Sequence, residues 1–482
     1  MHVNRRQFLR KSIHAALGGA SIYSALGNLR LVAAAARQSA YAFNDYKALV
    51  CVYLYGGNDS FNTIVPYDAT HYGLYANLRQ GLALAQTALQ NNSLNALAAS
   101  GGLPGGVPSD GGSYGLHPAM SDMSASGGNQ GLRNLFNSGQ VAVVANVGTL
   151  MQPVTQMQYQ NGTASMPPQL FSHVDQQSQW QTSRSDDTSA NGWGGKVADL
   201  LYSANSGQIP MSISLSGNNL YQRGAIVNQY AIDPSGVTAM SYLGNGPESW
   251  IIGDDDDGVT AYNALMASGS QTHVLERAFA NSATRAITNY QLVGNALNGV
   301  TLTTPFPATD LGSQLQMVAQ LIKVRSALGM SRQVFFVSTG NYDTHSGQIA
   351  DQQDNLAELS QALAAFYAAT AELGLADNVT AFTASDFGRS IEANSSGTDH
   401  GWGGHHFVVG GAVRGQRFYG TMPSLLADNN PDDTGYGQII PTLAVDQYAA
   451  TLASWFGASN SDIATLLPNL GRYTAVNLRF LG

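Results

Sequence analysis

The 482-residue chain has one cysteine, Cys51, so no internal disulfide can staple it. Charge is scarce too. Only 11% of residues are Asp, Glu, Lys or Arg, and the balance is acidic, with a formal net charge of −9. Ser, Asn, Gln and Gly must therefore supply much of the polar surface. An acidic chain without a basic patch excludes a role that rests on neutralising nucleic-acid phosphates. No later run stays apolar over the roughly 20 residues that a bilayer requires, so no permanent membrane span is expected. No Gly-x-Gly-x-x-Gly turn follows the first strand-like run, which sets aside a nucleotide-binding oxidoreductase. The chain shows no internal repeat.

What is present starts at the N-terminus. Asn4-Arg5-Arg6-Gln7-Phe8-Leu9-Arg10-Lys11 precedes a modestly apolar stretch, 13–36, that ends in Ala33-Ala34-Ala35-Ala36. That order is the order of a twin-arginine export signal; the plainer alternative is an amphipathic N-terminal helix. Residues 1–36 are expected to be cleaved on delivery to the periplasm or beyond, leaving about 446 residues. The twin-arginine machinery, an expected partner, moves folded proteins, which suits a chain that takes up a metal in the cytoplasm. The segment holds five basic residues and no acid, so its loss takes the net charge from −9 to −14. Cys51 lies inside an apolar run and reads as a small buried core residue.

Strand-like and helix-like stretches alternate through the remainder, the pattern of a mostly parallel sheet covered on both faces in three α/β/α layers. Strands are expected at 49–55, 141–147, 334–338 and 379–383. Helices are expected at 311–328, 354–373 and 441–456, the last opened by Pro441 and closed by Gly457. One domain is expected over 46–482, with a cap-like insertion at about 217–307, partly helical over 261–297, where Asn, Gly, Ser and Ala dominate. The stretch 101–115 is rich in Gly, Pro and Ser and reads as a loop. Asp254-Asp255-Asp256-Asp257 lacks the alternate spacing of a calcium loop and reads as a solvated turn.

Ligands of an open parallel sheet sit beyond the carboxyl ends of its strands, and acids and histidines gather at those places. The first run stops at Gly56-Gly57-Asn58-Asp59-Ser60, the third at Asn341-Tyr342-Asp343-Thr344-His345, and the fourth at Ser385-Asp386-Phe387-Gly388-Arg389. Gly397-Thr398-Asp399-His400-Gly401-Trp402-Gly403-Gly404-His405-His406 follows, with three histidines in a glycine-threaded segment suited to neither helix nor strand. Oxygen and imidazole donors of this kind bind divalent cations, with zinc the first choice and calcium or manganese the alternatives. Each place has an ordinary reading as well. Asp59 could be a helix cap or Asx-turn; Asp343 and His345 a cap beside a surface histidine; Asp386 a further cap, with Arg389 as an anion partner. His400, His405 and His406 could instead hold an anionic substrate. Ser172, in Leu170-Phe171-Ser172-His173-Val174-Asp175-Gln176-Gln177, stands where a helix should begin: a nucleophile if a metal lowers its pKa, or simply the N-cap. His173 and Asp175 are alternative ligands there. Trp180, Trp193 and Trp402 either wall the cleft or belong to the core.

The order of these segments resembles the alkaline phosphatase superfamily, which includes sulfatases and phosphopentomutase-like enzymes. Over nearly the whole mature chain it resembles the exported domain-of-unknown-function 1501 family, placed in that superfamily. Tyr55-Gly56-Gly57-Asn58-Asp59-Ser60-Phe61-Asn62, the Ser172 segment, Asp343-Thr344-His345-Ser346-Gly347-Gln348 and the His400 segment carry the likeness, with Pro441-Thr442-Leu443-Ala444 before a closing helix. The resemblance implies that Asp59 and Asp386 hold one metal beside Ser172, and that Asp343, His345 and His400 hold another. It implies further that Arg389, His405 and His406 stabilise the non-bridging oxygens of a phosphoryl or sulfuryl group. Two departures stand out. Phe387 occupies the place where the superfamily has His or Asn, and Gly347 stands where it often has a histidine. The expected activity is hydrolysis of a small anionic phosphate or sulfate ester; the alternative is an envelope protein that binds a metal or ligand on the same fold without turnover.

Overall fold

The computed structural model describes residues 41–482 except 42, 101, 103, 122–130, 188–189, 238–263, 265 and 267–272. Residues 1–36, expected to be an export signal, the middle of the 217–307 stretch and Asp254–Asp257 lie outside the described residues. The strands in chain order are β1 (Lys47–Leu54), β2 (Ile64–Pro66), β3 (Tyr114–Leu116), β4 (Val141–Gly148), β5 (Ser212–Ser214), β6 (Tyr230–Ala231) and β7 (Arg332–Thr339). They continue with β8 (Val379–Ser385), β9 (Arg389–Ala393), β10 (Thr398–His400), β11 (Gly404–Val409), β12 (Arg417–Tyr419) and β13 (Leu443–Ala444). The helices that matter here are α1 (His173–Thr182), α2 (Trp193–Leu200), α3 (Val274–Leu297), α4 (Asp310–Lys323), α5 (Gln348–Glu372), α6 (Val445–Phe456) and α7 (Asn460–Leu466).

The main sheet runs β12-β4-β11-β8-β1-β7-β5-β6, with β13 also paired to β4. Every pairing in it is parallel except those of β11, which lies antiparallel to both β4 and β8. The carboxyl ends of β1, β4, β7 and β8 therefore share one rim, and β11 starts from that rim instead of ending there.

β1 is apolar at every position because both of its faces are covered. Ala48, Val50, Val52 and Leu54 face a layer containing α3, α4 and α5, while Leu49, Cys51 and Tyr53 face α1, α2, α6 and α7. Three layers follow, and Cys51 is buried between two of them. Each fully buried Val, Leu, Ile or Phe in these layers contributes roughly 1.5–3 kcal/mol of transfer free energy. Thr309 starts α4 by accepting a hydrogen bond from Gly312 N–H, and Gly457, at φ 127°, ends α6.

Some boundaries differ from the sequence expectation. α5 starts at Gln348, six residues early, after Gly347 in a left-handed conformation, and this brings Gln348 and Gln352 to the rim. α6 starts at Val445 because Leu443 and Ala444 pair with β4 first. Within 101–115, Gly106 bridges Phe418 and Tyr114 opens β3. The outer parts of 217–307 add β6 to the sheet edge and supply α3. No helix among the described residues is long and apolar enough to cross a membrane.

Candidate metal centre

The centre is built from the loops at the shared rim. After β1 the chain turns through Gly56 and Gly57, at φ 113° and 85°. A side chain at Gly56 would strike the backbone of Tyr342 and Asp343, and one at Gly57 would strike the Phe387 ring. The two glycines thus let the ends of β1, β7 and β8 close on one another. β7 delivers Asp343, β8 delivers Asp386, α1 opens with His173, and the antiparallel pair β9–β10 carries His400.

Asp343 is the hub. Its Oδ1 lies 3.1 Å from His345 Nε2, 3.3 Å from His400 Nε2 and 2.6 Å from Arg389 Nη1. Its Oδ2 lies 3.4 Å from His173 Nε2. The opposite nitrogen of each imidazole is tied elsewhere. His173 Nδ1 is 2.8 Å from Asp386 Oδ2, His345 Nδ1 is 3.2 Å from Asp399 Oδ1, and His400 Nδ1 is 2.7 Å from the Phe171 carbonyl oxygen. A carbonyl or carboxylate can only accept, so each Nδ1 carries a proton; each Nε2 could then give its lone pair to an ion seated between it and Asp343, and His345 Nε2 lies 2.9 Å from His400 Nε2. Acceptors behind ligand histidines fix tautomer and ring orientation at metal sites in the same way. His173, Asp343 and His400 each offer one ligand atom within 4.8 Å of the other two, so these three could hold a metal ion. The rings of His173 and His400 both pack on Phe387, at 4.9 and 4.7 Å.

Electrostatics favour Asp343 and His400 as donors and work against His173. Burial works against charge on Asp343, yet the hydrogen bond and charge of Arg389, with His345 and His173 nearby, hold its carboxyl below the usual range. Burial, more than any other influence, holds His400 below the ordinary imidazole value. The hydrogen bond to Asp386 raises His173, against the effect of burial. Asp386 is fully buried. Its Oδ2 accepts from Gly56 N–H, Gln177 Nε2 and His173 Nδ1, while its Oδ1 has no partner among the described residues.

Residues 46–443 match a family described as protein of unknown function, DUF1501. The chain belongs to that family. Among solved structures it is similar to the crystal structure of the PsFucS1 sulfatase from Pseudoalteromonas sp., with 10% identity and a TM-score of 0.30 over 96% of this chain and 76% of that one. A search of curated proteins finds no match.

Not every residue expected at the centre of this DUF1501 chain arrives there. Asp59 caps the short helix Ser60–Thr63 through Phe61 N–H, and both its oxygens accept from Arg79 at 2.8 Å, with Gln348 Nε2 donating as well. Asp59 and Arg79 are both completely buried, so this carboxylate is already satisfied, and it is not one of the three residues that could hold an ion. His405 faces the core, where its Nδ1 accepts from Asn146 N–H at 3.0 Å; burial pushes its pKa down to about 4. His406 packs on Trp180 with Nδ1 3.3 Å from Thr383 Oγ1, and burial lowers it to about 3. Neither can reach an anion at the rim. Arg389 is fully buried and spent on Asp343, Gly56 O and Thr398. It positions the hub and does not face an open site. Ser172 occupies the N-cap position of α1 without accepting a helix N–H, and its Oγ donates to Asp175 Oδ2 at 2.6 Å. Trp180, Trp193 and Trp402 are core residues.

Sequence reasoning missed Arg79 and gave Asp399 no role. An arginine in the last turn of an ordinary helix, Ala69–Arg79, carries no sign that it will seek a carboxylate twenty residues back. Asp399 could have been found, since it adjoins His400 in the segment least suited to regular structure.

Proposed function

We propose that the chain is an exported metal-dependent hydrolase of a phosphate or sulfate ester, carried by the twin-arginine route and working with one metal ion. The observation that carries this reading is the convergence of three imidazole Nε2 atoms on the Asp343 carboxylate, each with its Nδ1–H already committed. The donor set fits a borderline cation. Nitrogen donors with one carboxylate suit zinc, or manganese, better than calcium, which takes oxygen ligands. His173, Asp343 and His400 would hold it, with His345 at the exposed side. A bound divalent ion supplies Lewis acidity toward the ester oxygens and lowers the pKa of a nearby hydroxyl or water.

The chain's own residues do the remainder. Asp386 and Phe171 orient His173 and His400. Arg389 holds the Asp343 carboxylate in place. Asp175 accepts the Ser172 hydroxyl proton, which makes Ser172 the nucleophile next to His173. The second metal site implied by the family likeness is replaced here by the Arg79 guanidinium on Asp59 and by the Phe387 ring beside Asp386. The test is to purify the protein, measure bound zinc, manganese and calcium, and assay aryl phosphate and aryl sulfate esters. About one zinc or manganese per chain with turnover is expected, both lost in His400→Ala. A metal-free protein that added metal cannot activate, inert on both esters, would refute the reading.

One observation favours a second reading, a metal-binding envelope protein without turnover. Ser172 stands at the N-cap position of α1 and its hydroxyl is already given to Asp175, a structural arrangement. Metal uptake without hydrolysis of either ester, unchanged in Ser172→Ala, would favour it.

A further inference from the structure

A small chamber lies just inside the rim, on the side of the sheet that α1 covers. Tyr53 and Ala384, each next to last in its strand and paired across β1 and β8, reach it from the sheet, and Trp180 reaches it from α1. Tyr221, from the segment between β5 and β6, lines it as well. These residues are all more than nine-tenths buried. About 10 Å³ is left between them, close to what one water molecule needs.

Three of the lining side chains end in a polar atom that has no hydrogen-bond partner among the described residues: the Tyr53 hydroxyl, the Tyr221 hydroxyl and Trp180 Nε1. Burial without a partner is costly and uncommon in native interiors. The neighbours cannot serve them. Tyr448 donates its hydroxyl to the Thr383 and Phe407 carbonyl oxygens. Gln181 gives its side-chain oxygen to Leu220 and Tyr221 N–H, which leaves only its amide N–H for Tyr53. The other walls are aromatic and aliphatic apart from the Cys51 thiol. Burial raises both phenols far above their ordinary range, so both keep their protons. The indole N–H can only donate, and the two phenols bring two donors more. The chamber therefore wants a small acceptor. An anion would lose its hydration with no cation in the lining, and a cation would add donors to donors. Water alone has both the size and the lone pairs.

We propose that the chamber is a binding site for one internal water molecule, which accepts from Trp180 Nε1–H and one phenol and donates to the oxygen of the other. Trp180 lies about two turns along α1 from His173, so this water joins the helix that carries His173 to β1 and to the Tyr221 segment. The site is independent of the hydrolase reading and is tested without metal or ester. A high-resolution crystal structure of the protein should show one ordered water at about 2.7–3.2 Å from all three atoms. In solution, relaxation dispersion of labelled water oxygen should count one long-lived water fewer in the double variant Tyr53→Phe, Tyr221→Phe. That variant keeps both rings and leaves the indole as the one polar partner, too few to hold a water. A dry chamber in the unaltered protein overturns the proposal, and so does a water that stays in the double variant at unchanged occupancy. Should the double variant fail to fold, the structure of the unaltered protein decides by itself.

Discussion

Asp386 stands behind His173, one of the three residues that could hold a metal ion. Its Oδ2 fixes the His173 tautomer, and loss of such an acceptor at metal sites costs about 10–100-fold in affinity. Asp386→Asn is therefore expected to weaken zinc binding by about that factor, read by competition with a chelator, with the far-ultraviolet spectrum unchanged. Arg79→Met should act on stability alone. It strands the buried Asp59 charge, which costs about 3–5 kcal/mol and is measurable by urea unfolding. Equal metal affinity in this variant would separate Asp59 from the centre; a large loss would return Asp59 to it.

The elements explain why distant residues meet. β1, β7 and β8 end together only because Gly56 and Gly57 turn without side chains. Gly57→Ala places a side chain at φ 85° against the Phe387 ring, on which His173 and His400 rest. The backbone strain alone is of order 1–3 kcal/mol, and both a lower urea midpoint and weaker zinc binding are expected. At this scale the sequence was readable where a pattern had one cause. The apolar runs 49–55, 141–147, 334–338 and 379–383 are strands because two covered faces leave no room for polar alternation. The Asp and His clusters at their ends marked the rim for the same reason. What stayed hidden was which clustered side chain faces the rim and which faces the core. His405 and His406 follow His400 by a few residues, but β11 has begun by then and its pairing with β4 and β8 buries them. Spacing along the chain does not carry that information; the sheet register does.

For the molecule as a whole, buried histidines set the response to acid. His117, His405 and His406 are lowered by burial from 6.5 to about 4, 4 and 3. Below about pH 6.5 the unfolded chain takes up a proton at each while the folded chain does not, so stability falls with pH until about 4. Asp446, raised by burial to about 7, works in the opposite sense over the same window, as do His173 and Asp199, both raised, while the lowered His400 adds to the three buried histidines. The urea midpoint should drop between pH 7 and 5, and a flat or rising profile would contradict this balance. The reversed strand β11 has a consequence for assembly. His400 reaches the rim through the chain leading into that strand, and it meets the Phe171 carbonyl across a separation of 229 residues. A nascent chain halted before residue 400 owns no complete set of donors, whatever else has folded. On the proposed reading, a chain that ends before residue 400 lacks the His400 donor and its bond to Phe171, and is expected to bind metal more weakly than the whole protein.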